Sequence, residues 1–355
     1  MKNLIPEWIV PSYIAMVWPE HLPAVSGSKL KPYFMALINK ILQNGIPVKL
    51  FFRESNDIPA VERSFKDKPL KCQPLENISD IWIRDFGPMF IYEDNTVQAL
   101  KTIYRPSYAY SLREMEWCRN NDTASWHITN KFKDESESRI PLILDGGNII
   151  HNGQGKAIVT SRIIADNPYL FEDEIREILR EYLGISELYI VPCEPDDDTG
   201  HIDGMVRFLN SNVVLVGDYQ EGNPEGKKVT DKIAAYLEDH GFRVFRVPNA
   251  EPKPGKYNIQ CRCRGIRQFE NAAGNYMNFL RAGDIIFLPH YQKEKENIRA
   301  LEALFDAIYA TGREIHIEKI MEDATPLAEY GGVINCITVP LYTNTTAILR
   351  GKDLQ

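Results

Sequence analysis

Apolar residues recur at three- and four-residue spacing over residues 29–44, where Phe34, Leu37, Ile38, Ile41 and Leu42 share one face. That period predicts an amphipathic helix, and Gly45 supplies its stop. The same pattern predicts helices over 168–183 (Ile175, Ile178, Leu179, Leu183), 226–240 (Ile233, Ala234, Leu237) and 292–311 (Ile298, Leu301, Leu304, Phe305, Ile308). Between them lie short β-branched and aromatic runs that read as buried strands. These are Ile14–Trp18 (stopped by Pro19), Val48–Phe52, Val97–Tyr104, Ala157–Ser161, Leu188–Val191, Val213–Val216, Val244–Val247, Ile285–Pro289 and His316–Ile320. Residues 78–92 are expected to form two short strands around Arg84-Asp85-Phe86-Gly87-Pro88. Residues 141–150, 275–280 and 333–339 are each read as strand, the first broken by Gly146-Gly147.

Strand–helix–strand units in succession predict an α/β layered protein. Gly331-Gly332-Val333-Ile334 echoes Gly146-Gly147-Asn148-Ile149 and hints at an internal repeat. No Pro- or Ser-rich linker divides the chain, so residues 1–355 are expected to be one domain. Residues 105–139 are less regular and are read as a long excursion with some helix; connections of this length are often functional.

The totals narrow the function classes. A net charge of −8 argues against a phosphate-backbone binder, which needs a basic face. Pro6, Glu7 and Pro11 break any apolar leader, and no run suits a membrane span. Cys72, Cys118, Cys193, Cys261, Cys263 and Cys336 are too sparse for a disulfide scaffold, so a reduced, cytoplasmic protein is expected. Cys261-Arg262-Cys263 lacks a second cysteine pair and reads as two residues on one strand face rather than a zinc site.

Chemistry-bearing residues gather beside glycines. Asp196, Asp197 and Asp198 precede Gly200, and His201 and Asp203 follow it. On an extended segment an i, i+2 pair faces one way. Asp85 stands before Phe86-Gly87-Pro88, Asp145 before Gly146-Gly147, and Cys336 after Gly331-Gly332. One Cys, one His and three carboxylates would equip a thiol nucleophile with an acid–base partner and a cation clamp. Each segment also has a plainer account: a buried strand cysteine, Asp–Gly turns, and a surface ion pair between Arg84 and Asp85. A metal held by His201, Asp203 and the acidic triplet is the rival, weakened by the lack of a second His at ligand spacing.

Five segments together resemble the agmatine deiminase and bacterial-type peptidylarginine deiminase family, within the guanidine-modifying enzymes. They are Trp82–Pro88, Leu144–Asn148, Gly200–Asp203, Tyr276–Phe279 and Gly331–Thr338. Pro6-Glu7-Trp8 and Met16–Glu20 also look like that family's start. The resemblance implies a five-bladed α/β-propeller of ββαβ units with the site at its centre. It implies Cys336 as nucleophile, His201 as general acid and base, and Asp85 and Asp203 as the carboxylates that grip a guanidinium. Asp145 falls where agmatine deiminases usually carry Glu. Asn278, Trp82 and Trp18 are placed with it among substrate-binding residues. The implied reaction turns a guanidino group into a ureido group with loss of ammonia, through a covalent thiouronium on Cys336. It uses no cofactor and no metal. The implied partner is a small cationic guanidino substrate, without nucleic acid or membrane; a homodimer is compatible.

Two departures bear on substrate, one of them Asp145 in place of Glu, which points to the peptidylarginine type. Tyr104-Arg105-Pro106 is closer to the peptidylarginine type, where Arg side chains take a carboxylate, so Arg105 is a candidate carboxylate reader. Agmatine, giving N-carbamoylputrescine, is the leading substrate. Arginine or peptidyl arginine is second, followed by amidino transfer and by a guanidine-binding protein without catalysis.

Overall fold

In a computed structural model, residues 2–20, 24–130, 139–195, 197–219, 223–249, 254–261, 265–270 and 272–343 are described. The architecture is mixed α/β. Among the described residues, five sheets share one construction: a lead strand antiparallel to a central strand, then a crossover through helix to a third strand parallel to the central one. In the fourth such unit along the chain, Val206–Phe208 leads, Val213–Asp218 is central, Pro224–Asp239 crosses, and Arg243–Pro248 returns parallel. Met89–Glu93, Ile150–His151 and Leu280–Ala282 lead three others in the same way.

The remaining unit joins the two ends of the chain. Its central strand, Tyr13–Val17, pairs in parallel with Val48–Phe52 after the helix Ala24–Gln43, and its lead strand is Val339–Leu341. The repeat expected from the double glycines is therefore present as topology. The parallel strands are apolar on both faces, as sheets covered by helices require: Ile14, Val48, Leu50, Val214, Leu215 and Ile286 are all fully buried.

Helix ends follow local chemistry. Asn223 accepts from the Gly226 N–H at 2.8 Å, and Gly184 takes the left-handed conformation (φ 69°) that ends Glu172–Leu183. In the 105–139 excursion, Ser111 and Glu114 form a reciprocal capping box that starts the helix Leu112–Thr129. Residues 131–138 lie outside the described residues.

Four expected strands are corrected. The first of the two strands expected in 78–92 is absent: residues 78–82 form no strand, and a helical turn, Ile83–Phe86, follows them ahead of Met89–Glu93. The run 141–150 splits: Arg139–Ile143 and Ile150–His151 belong to different sheets, separated by a 3₁₀ turn at Gly146–Asn148. Residues 275–279 are not strand because the Asn275 Oδ1 accepts from the backbone of Met277 and Asn278, replacing a ladder with a local turn. Residues 333–337 are likewise a turn, closed by Thr338 Oγ1 onto the Ile334 carbonyl at 2.9 Å, and strand begins only at Val339. Cys261 closes the strand Pro254–Cys261; Cys263 lies outside the described residues.

Every one of these four segments precedes the lead strand of a unit, and so does 201–205. The places where regular strand fails are the places where the chemistry-bearing residues sit.

Candidate active site

The five lead-in segments touch in sequence. The Arg84 N–H donates to the Cys336 carbonyl at 3.1 Å, and the Asn335 N–H to the Asn278 carbonyl at 3.1 Å. The Asn275 Nδ2 donates to the Gly204 carbonyl at 3.1 Å, and the Asp203 N–H to the Gly147 carbonyl at 3.1 Å. Gly146 completes the set: a Cβ there would lie 2.1 Å from the Arg84 carbonyl oxygen. Backbone contact this close holds the side chains on these segments at one place.

That place is a cavity of about 420 Å³ lined by Trp82, Asp85, His201, Asp203, Asn278 and Cys336. The Cys336 Sγ lies 3.4 Å from the Asn278 Oδ1, which also accepts from the Cys336 N–H. The His201 Nε2 is 3.0 Å from the Asp145 Oδ2, and its Nδ1 is 3.5 Å from the Asp85 Oδ1. Trp82 forms a wall, stacked on Tyr330 with ring centroids 5.8 Å apart. Two glycines make room for this packing. A Cβ on Gly147 would lie 2.6 Å from the His201 Nδ1, and one on Gly332 would lie 3.0 Å from the Cys336 Sγ.

Charge is concentrated. Burial alone would depress His201, but the carboxylates of Asp85, Asp145 and Asp203 outweigh it and hold the imidazole up at about 10. Burial pushes Asp85 up to about 8, with Asp145 and Asp203 adding to it against the pull of His201. Burial, then Asp203 and Asp85, lifts the Cys336 thiol well above its ordinary value. At neutral pH the unliganded site is thus an imidazolium beside a protonated thiol. The buried Asp85 Oδ1 and Asp145 Oδ1 have no hydrogen-bond partner, and of the two Asp85 lines the cavity, where it can accept from a ligand's N–H groups.

Farther out, Glu194, Asp197, Asp198 and Glu329 line the same cavity, and among the described residues no Lys or Arg does. The loop leading to His201 is pinned from outside: Arg162 donates to the carbonyls of Asp198 (2.6 Å) and Thr199 (3.0 Å), and Asp197 accepts from the Thr199 N–H. The acidic triplet thus shapes a turn. Asp196 lies outside the described residues. No group of three His, Cys, Asp or Glu among the described residues has a metal-holding geometry.

The structure brings together Cys336, His201, Asp85, Asp203, Asp145, Trp82 and Asn278. It does not bring Arg105 or Trp18 to the cavity. Arg105 is solvent-exposed and absent from the cavity wall. Proline 106 and the turn after it carry Tyr108 inward instead. Trp18 is 3% exposed, packed on Phe34 and Phe52 with its Nε1 donating to Asp57, and is a core residue. Arg84 is not a surface ion pair with Asp85; it faces away and grips Asn335.

Three further residues join the site without a signature in the sequence that assigns them to it. The Tyr108 hydroxyl donates to the Asp145 Oδ2 at 2.7 Å, and the ring meets His201 edge-on at 6.2 Å. The Asn335 Nδ2 donates to the Asp203 Oδ2 at 2.7 Å. Tyr219 hydrogen-bonds Glu194. None has a spacing signature; Asn335 alone could be suspected, being polar in an otherwise apolar run beside Cys336.

Known proteins resemble this chain in sequence and fold. The chain is 25% identical to the agmatine deiminase of Stutzerimonas stutzeri over 94% of this chain and 93% of that one. It is 26% identical to that of Medicago truncatula over 73% and 75%. Among solved structures, a C. jejuni agmatine deiminase with substrate bound superposes with a TM-score of 0.75 at 21% identity, covering 97% of both chains. The agmatine deiminase of Enterococcus faecalis superposes at 0.77 with 17% identity, covering 97% of this chain and 96% of that one. The profile of the Porphyromonas-type peptidyl-arginine deiminase family matches residues 3–341, and the chain belongs to that family.

Proposed function

We propose that this protein is a deiminase that hydrolyses the guanidino group of agmatine to the ureido group of N-carbamoylputrescine, releasing ammonia. The observation that carries the choice of substrate is the sign of the cavity's charge. Agmatine is cationic at both ends, whereas arginine carries a carboxylate. A wall with Glu194, Asp197, Asp198 and Glu329 and no basic side chain among the described residues suits the first and repels the second. The exposed Arg105 does not offset this.

In the proposed chemistry, Asp85 and Asp203 accept the guanidinium N–H groups and set the central carbon against the Cys336 Sγ. The arriving cation also favours the carboxylate form of Asp85 and offsets the negative charge that, with burial, keeps the thiol protonated, so that Cys336 becomes a thiolate as the displaced protons pass to solvent. Sulfur attacks the carbon. The protonated His201 gives its proton to the departing nitrogen, the C–N bond breaks, and ammonia leaves a thiouronium on Cys336. Neutral His201 then takes a proton from water, which adds to the same carbon. Collapse breaks the C–S bond, returns the thiolate, releases the hydroxyl proton to solvent, where it joins the ammonia as ammonium, and frees the ureido product. Asp145 keeps the imidazole aligned through both proton transfers.

The fold reading belongs to the same proposal. The five units, with contacts that run from each lead-in segment to the next and back to the first, support a closed five-bladed α/β-propeller. In such a ring no blade can be removed without opening the site, so residues 1–355 act as one catalytic domain. The thiols of Cys72, Cys118, Cys193 and Cys336 are unpaired, which suits a reducing cytoplasm.

A panel of agmatine, free arginine, a peptide with C-terminal arginine and one with internal arginine, assayed for ammonia without added metal, tests the reading. Agmatine is expected to be turned over with kcat/KM well above the others. Preference for any arginine compound overturns the substrate assignment, and turnover of none overturns the deiminase.

A further inference from the structure

We infer that Arg84 is a positioning residue for the reacting centre: its guanidinium sets Asn335, and through it Asp203, while the half-buried Glu7 of the N-terminal segment serves as its counter-charge. The inference rests on the proposed deiminase chemistry.

Arg84 stands one residue before Asp85 yet works on the far end of the chain. Its backbone N–H donates to the Cys336 carbonyl at 3.1 Å. Its Nη2 donates to the Asn335 Oδ1 at 2.9 Å and its Nε to the Asn335 carbonyl at 3.3 Å. A carboxamide has an accepting end and a donating end. With its oxygen held by a cation, the Asn335 amide must present Nδ2, and this donates to the Asp203 Oδ2 at 2.7 Å. One Asp203 oxygen is thereby fixed. Released from Arg84, Asn335 could rotate and turn its oxygen toward a carboxylate.

Arg84 cannot touch the substrate, because it lies off the main cavity. It lines a separate one of about 70 Å³ together with Glu7, Trp8 and His151, and the two cavities share no lining residue. A cation there must be neutralised from behind. Burial pulls Arg84 down, and Glu7 opposes that. Burial would raise Glu7, but Arg207 and Arg84 outweigh it and keep the carboxylate ionised. The Glu7 Oε2 also accepts from the fully buried Arg207 at 2.6 Å, whose Nη1 donates to the Phe279 carbonyl at 2.6 Å, next to Asn278. One carboxylate near the chain start thus pairs with Arg207 and shares a cavity wall with Arg84. Arg84 braces the Cys336 segment and Arg207 the Asn278 segment.

The test compares Arg84→Gln, Arg84→Lys, Asn335→Ala and the Arg84→Gln/Asn335→Ala double variant, in the full chain. Thermal melting, kcat and KM on agmatine, and the pH profile of Cys336 alkylation by iodoacetamide are read for each. A misplaced Asp203 is expected to raise KM and to lower kcat/KM by about 10²-fold. The double variant is expected to be no worse than the poorer single one, since both cut the same link. Arg84→Lys keeps charge but not the fork and is expected to recover only part of the loss. Loss of the cation is expected to move the alkylation profile of Arg84→Gln to higher pH. A purely structural role would lower the melting temperature and leave KM and the alkylation profile of the folded enzyme unchanged, and that result overturns the inference. So do losses that multiply in the double variant. Should Arg84→Gln fail to fold, Asn335→Ala with wild-type kcat/KM overturns it. If the wild type processes no guanidino compound, the deiminase reading fails instead, and the alkylation profiles decide the positioning role alone.

Discussion

The His201 Nδ1 occupies space that any side chain on Gly147 would need: a Cβ there would fall 2.6 Å from that nitrogen and 2.7 Å from the Asp85 Oδ1. The glycine is required by its neighbours, not by its own backbone, since it does not adopt a positive φ. Gly147→Ala is therefore expected to fold while pushing His201 and Asp85 apart. Displacement of a reacting group by an ångström costs about 10²-fold, so kcat/KM on agmatine should fall by that order. Gly332→Ala should do the same by meeting Trp82 at 2.7 Å and the Cys336 Sγ at 3.0 Å. Near wild-type rates in both would show that the segments yield easily.

The cluster's titration sets a pH dependence of stability. Both His201 and Asp85 hold their protons more tightly folded than unfolded, at about 10 and about 8. Their unfolded values are about 6.5 and about 3.9. A group of this sign stabilises fully below its unfolded pKa and loses that contribution as pH rises through its folded pKa. The contribution of these two groups to the melting temperature of the unliganded protein is thus expected to decline from about pH 4, where Asp85 begins to ionise unfolded, to about pH 10, where His201 has lost its proton folded. Asp145→Asn removes a carboxylate that raises both groups in the folded state, so the decline should be smaller and end at lower pH. Calorimetric melting across that range checks the sign; a limb shifted to higher pH contradicts it.

Sequence and structure agree and part company for physical reasons. Periodicity located the helices and the parallel strands because those elements bury one face or two, as with Ile38, Leu179 and Leu304, all fully buried. It reads 275–279 and 333–337 as strand because Tyr276, Met277, Phe279, Val333, Ile334 and Ile337 are apolar and buried. Their backbones are bent by Asn275 and Thr338, a local competition that hydrophobicity does not report. Cys336, His201 and the aspartates were visible as reactive groups beside glycines. Tyr108 and Arg84 were not, since each acts on a residue far away in sequence.

The two corrected residues make opposite predictions. Arg105 is exposed, and no ionic role at the cavity remains for it. Arg105→Ala should alter kcat/KM by less than about 2-fold and stability by less than about 0.5 kcal/mol, as for a surface site. Trp18 is core, so Trp18→Ala should cost about 3–5 kcal/mol of stability, read by denaturant unfolding, while any folded fraction keeps its KM for agmatine. A raised KM with unchanged stability would return Trp18 to the substrate.

Tyr108 offers the sharpest check on the acid–base pair. Asp145 spends its Oδ2 on two partners, the Tyr108 hydroxyl at 2.7 Å and the His201 Nε2 at 3.0 Å. The hydroxyl competes with the imidazole for one oxygen and also fixes where that oxygen stands. Tyr108→Phe removes the competition and the anchor together while keeping the ring, which meets His201 edge-on and lies 5.8 Å from the Arg162 guanidinium. Losing a hydrogen bond to a charged group costs about 1.5–3 kcal/mol. Part of this should appear in catalysis as a fall in kcat of about 10-fold, with KM for agmatine little changed because Tyr108 does not hold Asp85 or Asp203. The basic limb of the kcat–pH profile should move upward, because an Asp145 freed of its donor favours the imidazolium more strongly. A kcat–pH profile identical to wild type would mean that Asp145 is held by the backbone alone.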